Sequence, residues 1–189
     1  MPTIILITGY ARSGKDTFRN GLFLSGKNTV LLRNFADSLK EACDDFLYNL
    51  GLDCKDEKAR SFFNERFKVE HRNALVSFGK FARSLDQDVF ANKLTDMVNV
   101  FTNDSAVTVV VADWRYVNEL LVVRKNLPDW RVITIRINTS GLNPANEEEG
   151  LSIGQITREV PIDYEYTFAP QSFDFIVSEG KKLAKQLQL

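Results

Sequence analysis

"LITGYARSGKDTF", residues 6–18, decides how the rest of the chain is read. Gly9 is followed by four residues, then Gly14, Lys15, Asp16 and Thr17. A loop that cradles phosphate has Gly, four residues, Gly, Lys, then Ser or Thr. The stretch leaves a β-branched apolar run, Thr3 to Thr8, of the kind that forms a buried parallel strand. A helix is expected from Lys15 to about Ser25. This strand–loop–helix setting is what phosphate binding needs. Glycines let backbone N–H groups wrap the anion, the helix N-terminus favours negative charge, and Lys15 adds a point charge. The loop residues Gly9, Ala11, Arg12, Ser13, Gly14, Lys15, Asp16 and Thr17 are therefore the candidate ATP-binding set.

Asp16 stands where the metal-binding hydroxyl belongs. Its carboxylate has three readings: a direct Mg2+ ligand, a ligand through water, or a helix cap with Thr17 touching a phosphate. The first two are favoured. A second acid, Asp113, closes the strand-like run "AVTVVVA", Ala106 to Ala112. Ligands in open α/β sheets sit off the carboxyl ends of the strands. Asp113 is read as an acid that orients a metal-bound water, against a plain cap on the following helix.

Further strands are expected at Thr29–Phe35, Trp130–Ile137 and Phe173–Val177. The pattern is helical from Asp37 to about Phe101, with breaks at Gly51, Gly79 and Asp86, and again over Val117–Asn126 and Glu179–Gln188. Strands alternating with helices give a three-layer α/β/α domain with a five-stranded, mostly parallel sheet. Residues 37–101 form a helical acceptor-binding region, and 138–165, the most loop-like stretch, a short lid. Glu147–Glu149 reads as solvated loop.

The 189 residues and 44% hydrophobic content suit one domain. A net charge of −1 excludes a broad basic face for duplex nucleic acid, so any cationic site is local. Cys43 and Cys54 show no metal spacing and fit reduced thiols, hence a cytoplasmic setting. No run reaches membrane-spanning length. Small-molecule nucleotides are the expected partners, without nucleic acid or membrane, and a homodimer stays open. The local cations are Arg12, Arg72, Arg83, Arg115, Arg136 and Arg158, the last two flanking the lid. Arginine grips phosphate through a planar fork. Arg72 and Arg83 share a face of an unbroken helix. Phe78 and Phe81 are placed to stack on a base, although most of the 14 phenylalanines belong to the core. His71 is read as a solvent-facing helix position.

"GYARSGKDT", "FADSLKEA", "RNALVSFGKFAR" and "VVVADWRYVNE" occur in that order, and "FDFIVSEGKKLAKQL" closes the chain. Together they resemble the bacteriophage-type deoxynucleoside monophosphate kinases, P-loop enzymes related to adenylate kinase. The resemblance implies Mg2+-dependent transfer of the terminal phosphate of ATP to a deoxynucleotide; beside the residue reading, this makes Lys15, Asp16, Asp113 and Arg115 the candidate catalytic residues and Asp16 and Asp113 the candidate metal ligands. It makes Asp16 a family trait. It puts Asp37 and Lys40 near the acceptor, lines the acceptor pocket with Arg72, Ser77, Phe78, Gly79 and Arg83, and gives the acceptor phosphate to Arg115. Relatives often carry Gln and then Gly-Thr where this chain has Ser77 and then "GK". The alternatives are a phosphomevalonate kinase-like acceptor, which would need no aromatic platform, and an ATP-binding switch without a second phosphate pocket. Host cytoplasm follows if the chain is of phage origin.

Overall fold

The computed structural model describes residues 1–25, 29–52 and 60–189; Cys54 lies outside them. The expected opening strand forms as β1 (Thr3–Thr8), buried at every position, and leads through the loop into α1 (Lys15–Ser25). The chain continues as β2 (Thr29–Arg33), α2 (Asp37–Asn49), α3 (Glu65–Glu70), α4 (Arg72–Leu85) and α5 (Val89–Asn99). Then come β3 (Val107–Val111), α6 (Val117–Asn126), β4 (Arg131–Thr139), α7 (Glu147–Glu159), β5 (Tyr164–Phe168) and α8 (Phe173–Leu187).

The sheet order is β2-β3-β1-β4-β5, and every pairing is parallel. A strand covered on both faces must be apolar throughout, and β1 splits its side chains accordingly. Ile4 and Leu6 meet Phe90, Leu94 and Val98 of α5 and Leu120 and Val123 of α6. Ile5 and Ile7 meet Phe18 and Leu22 of α1 and Ile176, Leu183 and Leu187 of α8. Each such side chain contributes roughly 1.5–3 kcal/mol by leaving water. Helices α1 and α8 meet through glycines: a Cβ on Gly21 would lie 2.4 Å from the Val177 carbonyl oxygen, and one on Gly180 2.5 Å from that of Phe18. Among the described residues no helix is long and apolar enough to cross a membrane.

Three expectations give way. Phe173–Val177 is the first turn and more of α8, not a strand. Its aromatic residues suit a strand by propensity, but Ile176, Gly180, Leu183, Ala184 and Leu187 bury one helical face while Phe173 and Phe175 stay exposed. The last strand is instead "YEYTF", β5, at the sheet edge. The loop-like reading of 138–165 also fails. That stretch holds the end of β4, the 13-residue α7 and the start of β5. Asn146 accepts a hydrogen bond from the Glu149 N–H and starts α7. Gly79 does not break α4; it is buried, facing Leu39 of α2.

Candidate active site

The sheet reverses its direction of winding at β1, where β3 lies on one side and β4 on the other. A crevice opens there beyond the carboxyl ends of the strands, and the loop after β1 fills it. Gly9, Arg12 and Gly14 have φ of 143°, 66° and 88°. Such left-handed positions are typical of an anion nest, and in this one the Ser13 N–H already donates to Tyr10 O, at 3.1 Å. Arg12 holds this conformation at a cost of about 1–2 kcal/mol. No side chain fits at Gly9, because a Cβ would lie 2.1 Å from the Ile137 carbonyl oxygen. The first N–H groups of α1 have no intrahelical carbonyl to bond; Phe18 is the residue whose N–H reaches back to Gly14 O, at 2.9 Å. Beside the nest, the buried hydroxyls of Thr8 and Ser13 find no hydrogen-bond partner. An unsatisfied buried polar group costs about 1–3 kcal/mol, and here the pair sits against a surface built for anions.

Lys15 donates to Gly9 O at 2.7 Å and Tyr10 O at 2.6 Å. Burial, with the Arg115 charge behind it, lowers its pKa to about 8, against the pull of Asp16, Glu149 and Asp113. Asp16 projects outward, 77% exposed, and pairs with Arg19 at 3.0 Å. Arg19 donates to the Asn34 side chain, whose backbone and side-chain N–H groups both donate to Asp37. Lys40 closes the chain at 3.0 Å from Asp37. Asp37 and Lys40 therefore stand together at the β2–α2 turn and are linked to the phosphate loop through Asp16.

Asp113 does not cap α6. Its two oxygens accept the N–H groups of Phe35 and Ala36, at 2.8 and 3.0 Å. It ties the end of β3 to the entry of α2, and burial pushes its pKa up against those two hydrogen bonds. The α6 start is handled by Glu119, whose Oε2 accepts from the N–H groups of Arg115 and Tyr116. Burial raises Glu119 to about 8.

The arginines separate. Arg115 places Nη2 3.6 Å from Glu149. Arg83 places its guanidinium carbon over the rings of Phe90 and Tyr116, 4.7 and 4.8 Å from their centroids, and lies 3.8 Å from Glu119. Arg72 shares the unbroken α4 with Arg83 but is exposed at its first turn. Eleven residues at 1.5 Å each put it about 16 Å along the axis. Arg136 lies on β4 opposite Thr8 and pairs with Glu165 at 3.3 Å, while its buried Nε has no partner. Arg158 is exposed in the last turn of α7, roughly 13 Å along that helix from Glu149. Arg12 is exposed on the loop.

An apolar cavity of about 250 Å³ lies between α2, α4 and α5. Phe46, Phe78, Phe81 and Phe90 form much of its wall, with Ser38 and Lys93 as polar members. Phe46 and Phe78 are 5.7 Å apart, centroid to centroid. The Ser38 hydroxyl is buried without a partner. Ser77 is exposed on α4, and His71 joins α3 to α4 at the surface with its ring on Phe67.

The sequence reading missed the acids of α7. Glu149 is 2% exposed rather than solvated. Its Oε1 accepts the Ala11 N–H at 3.0 Å, so that amide is engaged by protein rather than open to a ligand. Asn146-x-x-Glu149 is a helix-start pattern and was the available signal.

No protein-family model and no curated protein matches the chain. Solved structures do. A sugar kinase from Janibacter sp., in an unliganded structure, aligns with 100% of this chain and 97% of its own at 11% identity and a TM-score of 0.54. The fold is that of the P-loop kinases. A gluconokinase from Sinorhizobium meliloti (12% identity, TM-score 0.48, 99% of this chain and 94% of that one) lies further off. So does a shikimate kinase from Acinetobacter baumannii in complex with shikimate (13%, 0.44, 100% and 96%). At 11% identity the likeness to the sugar kinase is one of fold, and the acceptor is left to the site itself.

Proposed function

We propose that the chain transfers the terminal phosphoryl group of ATP to a nucleoside monophosphate, a deoxynucleotide by the sequence resemblance, giving the diphosphate and ADP. One observation carries the choice of acceptor: Phe90 is both a wall of the aromatic cavity and the platform under the Arg83 guanidinium. A base-sized apolar pocket and an arginine for an anion thus adjoin. Phe78 and Phe46 supply the stacking faces. A sugar or sugar acid would need several hydrogen-bonding groups in that pocket, and its walls offer Ser38 and Lys93 among phenylalanines.

The donor triphosphate lies on the N–H groups around Gly14 and the α1 N-terminus, with Lys15 at its outer phosphates. Arg83 and Arg115 hold the acceptor phosphate between cavity and loop, and Asp37 and Lys40 border that space. The first turn of α7, which reaches Ala11 through Glu149 and Tyr116 through Glu148, takes the place of the lid expected over 138–165. An oxygen of the acceptor phosphate bonds to the γ-phosphorus. The bond to the β–γ bridging oxygen breaks, and its electron pair leaves with ADP, so no covalent enzyme intermediate is required. Positioning and charge do the work. Hard carboxylate oxygens suit Mg2+, which takes one or two of them together with substrate phosphates, and Asp16 and Asp113 are the acids that would hold it. When bound, that ion neutralises charge on the donor phosphates.

Initial rates of ADP release with ATP and each common ribo- and deoxynucleoside monophosphate, beside gluconate, hexoses and shikimate, test the reading. Turnover with a nucleoside monophosphate is expected. Turnover confined to a polyol or sugar acid would contradict it.

A further inference from the structure

The first turn of α7 carries three consecutive acids, and two of them, Glu148 and Glu149, take hold of different parts of the site. Glu148 accepts the Tyr116 hydroxyl at 2.8 Å and lies 3.4 Å from Lys80 of α4. Tyr116 is the ring on which Arg83 rests. Glu149 accepts the Ala11 N–H through Oε1 and the Ala145 N–H through Oε2, at 3.0 and 2.8 Å. The same Oε1 faces Arg115 at 3.6 Å. Glu149 is nearly inaccessible, yet Arg115 remains 42% exposed. The carboxylate is fixed, and the guanidinium it steadies still presents N–H groups to solvent.

We propose that Glu149 is a positioning residue: it ties Arg115 to the phosphate loop through Ala11, so that the seating of α7 sets where the acceptor-side arginine stands relative to the donor cradle. This rests on the kinase reading above. Both ends of the bridge are specific. A guanidinium held at one nitrogen keeps its remaining donors for a phosphate. An α7 N-terminus also favours the anion by its dipole. Glu148 does the parallel task for Arg83 through Tyr116, so one helical turn holds both acceptor-side arginines.

Glu149 also holds the loop through the Ala11 N–H, so removing its charge also reaches the donor side. The test compares Glu149→Gln, which keeps an acceptor for the Ala11 N–H but drops the charge, with wild type. Thermal unfolding verifies that the variant is folded. The acceptor KM is expected to rise about tenfold, with a smaller change in kcat, and the same substitution in an Arg115→Met background is expected to add little. Calorimetric ATP titrations at pH 7 are expected to weaken about threefold, because the carboxylate that holds the Ala11 N–H has lost its charge. Glu149→Asp, with its charge one methylene back, is expected to fall between the two, and it replaces the Gln variant should that one not fold. A folded variant with wild-type acceptor KM and wild-type ATP affinity overturns the proposal. So does a loss that is the same with and without Arg115. If the wild type phosphorylates no nucleoside monophosphate, the kinase reading fails by itself, and the ATP titrations still decide whether Glu149 acts on the loop.

Discussion

The donor side and the acceptor side of this molecule are built on opposite plans. Around the phosphate loop, backbone meets backbone: Gly9 lies against Ile137, and Gly21 against Gly180, with no room for a methyl group. Around the cavity, side chains meet side chains, and many are only half covered. Phe78 is 42% exposed and Phe81 63%. A cradle that binds through main-chain N–H groups must hold its backbone rigidly. A pocket that selects a base must leave ring faces open. Changes on the donor side should therefore be severe and indifferent to acceptor, and changes on the acceptor side milder and specific to it.

The largest break is expected from Lys15→Met, which removes the one charge inside the cradle. Turnover should fall about 100- to 1000-fold with every acceptor, read as ADP release at saturating substrates. Gly180→Ala forces a Cβ against the Phe18 carbonyl and should cost about 3 kcal/mol. For a chain of this size that lowers the melting temperature by roughly 6–12 °C, measured by calorimetry without ligand.

The pH dependence sharpens the same contrast. Free Lys15 has a pKa lowered to about 8 by burial, and polyphosphate favours its charged form. ATP affinity should be flat below pH 7 and fall as pH rises through 8, by up to about tenfold per unit, with proton uptake on binding near pH 8. Without ligand the sign is opposite. A lysine whose folded pKa lies below its unfolded value adds stability as pH climbs from about 8 towards 10.5.

On the acceptor side, Phe78→Ala should raise the nucleotide acceptor KM about three- to tenfold and leave ATP binding unchanged. Arg72→Met should be the mildest, within about twofold in every constant. A large Arg72 effect would move the acceptor phosphate along α4, away from Arg83.

The same contrast explains what the sequence disclosed. A β-branched run ending in Gly9, then Gly14-Lys15, is a local pattern with a local meaning, and β1, the loop and α1 follow it residue for residue. Residues 117–126 were equally plain, because an apolar helix stopped by Pro128 needs no tertiary information. The α7 helix was hidden. Pro144 and the acids of Glu147–Glu149 look solvated until Glu149 is seen against Ala11 and Arg115, partners far away in sequence. Phe173 and Phe175 mislead for a related reason: their aromatic character suggests a strand, and only packing on α1 makes that stretch a helix. Arg72 and Arg83 do share a helical face, but facing says nothing of distance along the axis. The strand-like run before it put Asp113 just beyond the carboxyl end of β3, while its hydrogen bonds to Phe35 and Ala36 had no signal in the chain.

The most direct measurement is a calorimetric titration of a nucleoside monophosphate into protein saturated with Mg2+ and a non-hydrolysable ATP analogue. A second, separate binding event is predicted, weakened strongly by replacing Arg83 and Arg115 with Met while analogue affinity stays the same. A protein that accepts one nucleotide and never a second would contradict the account.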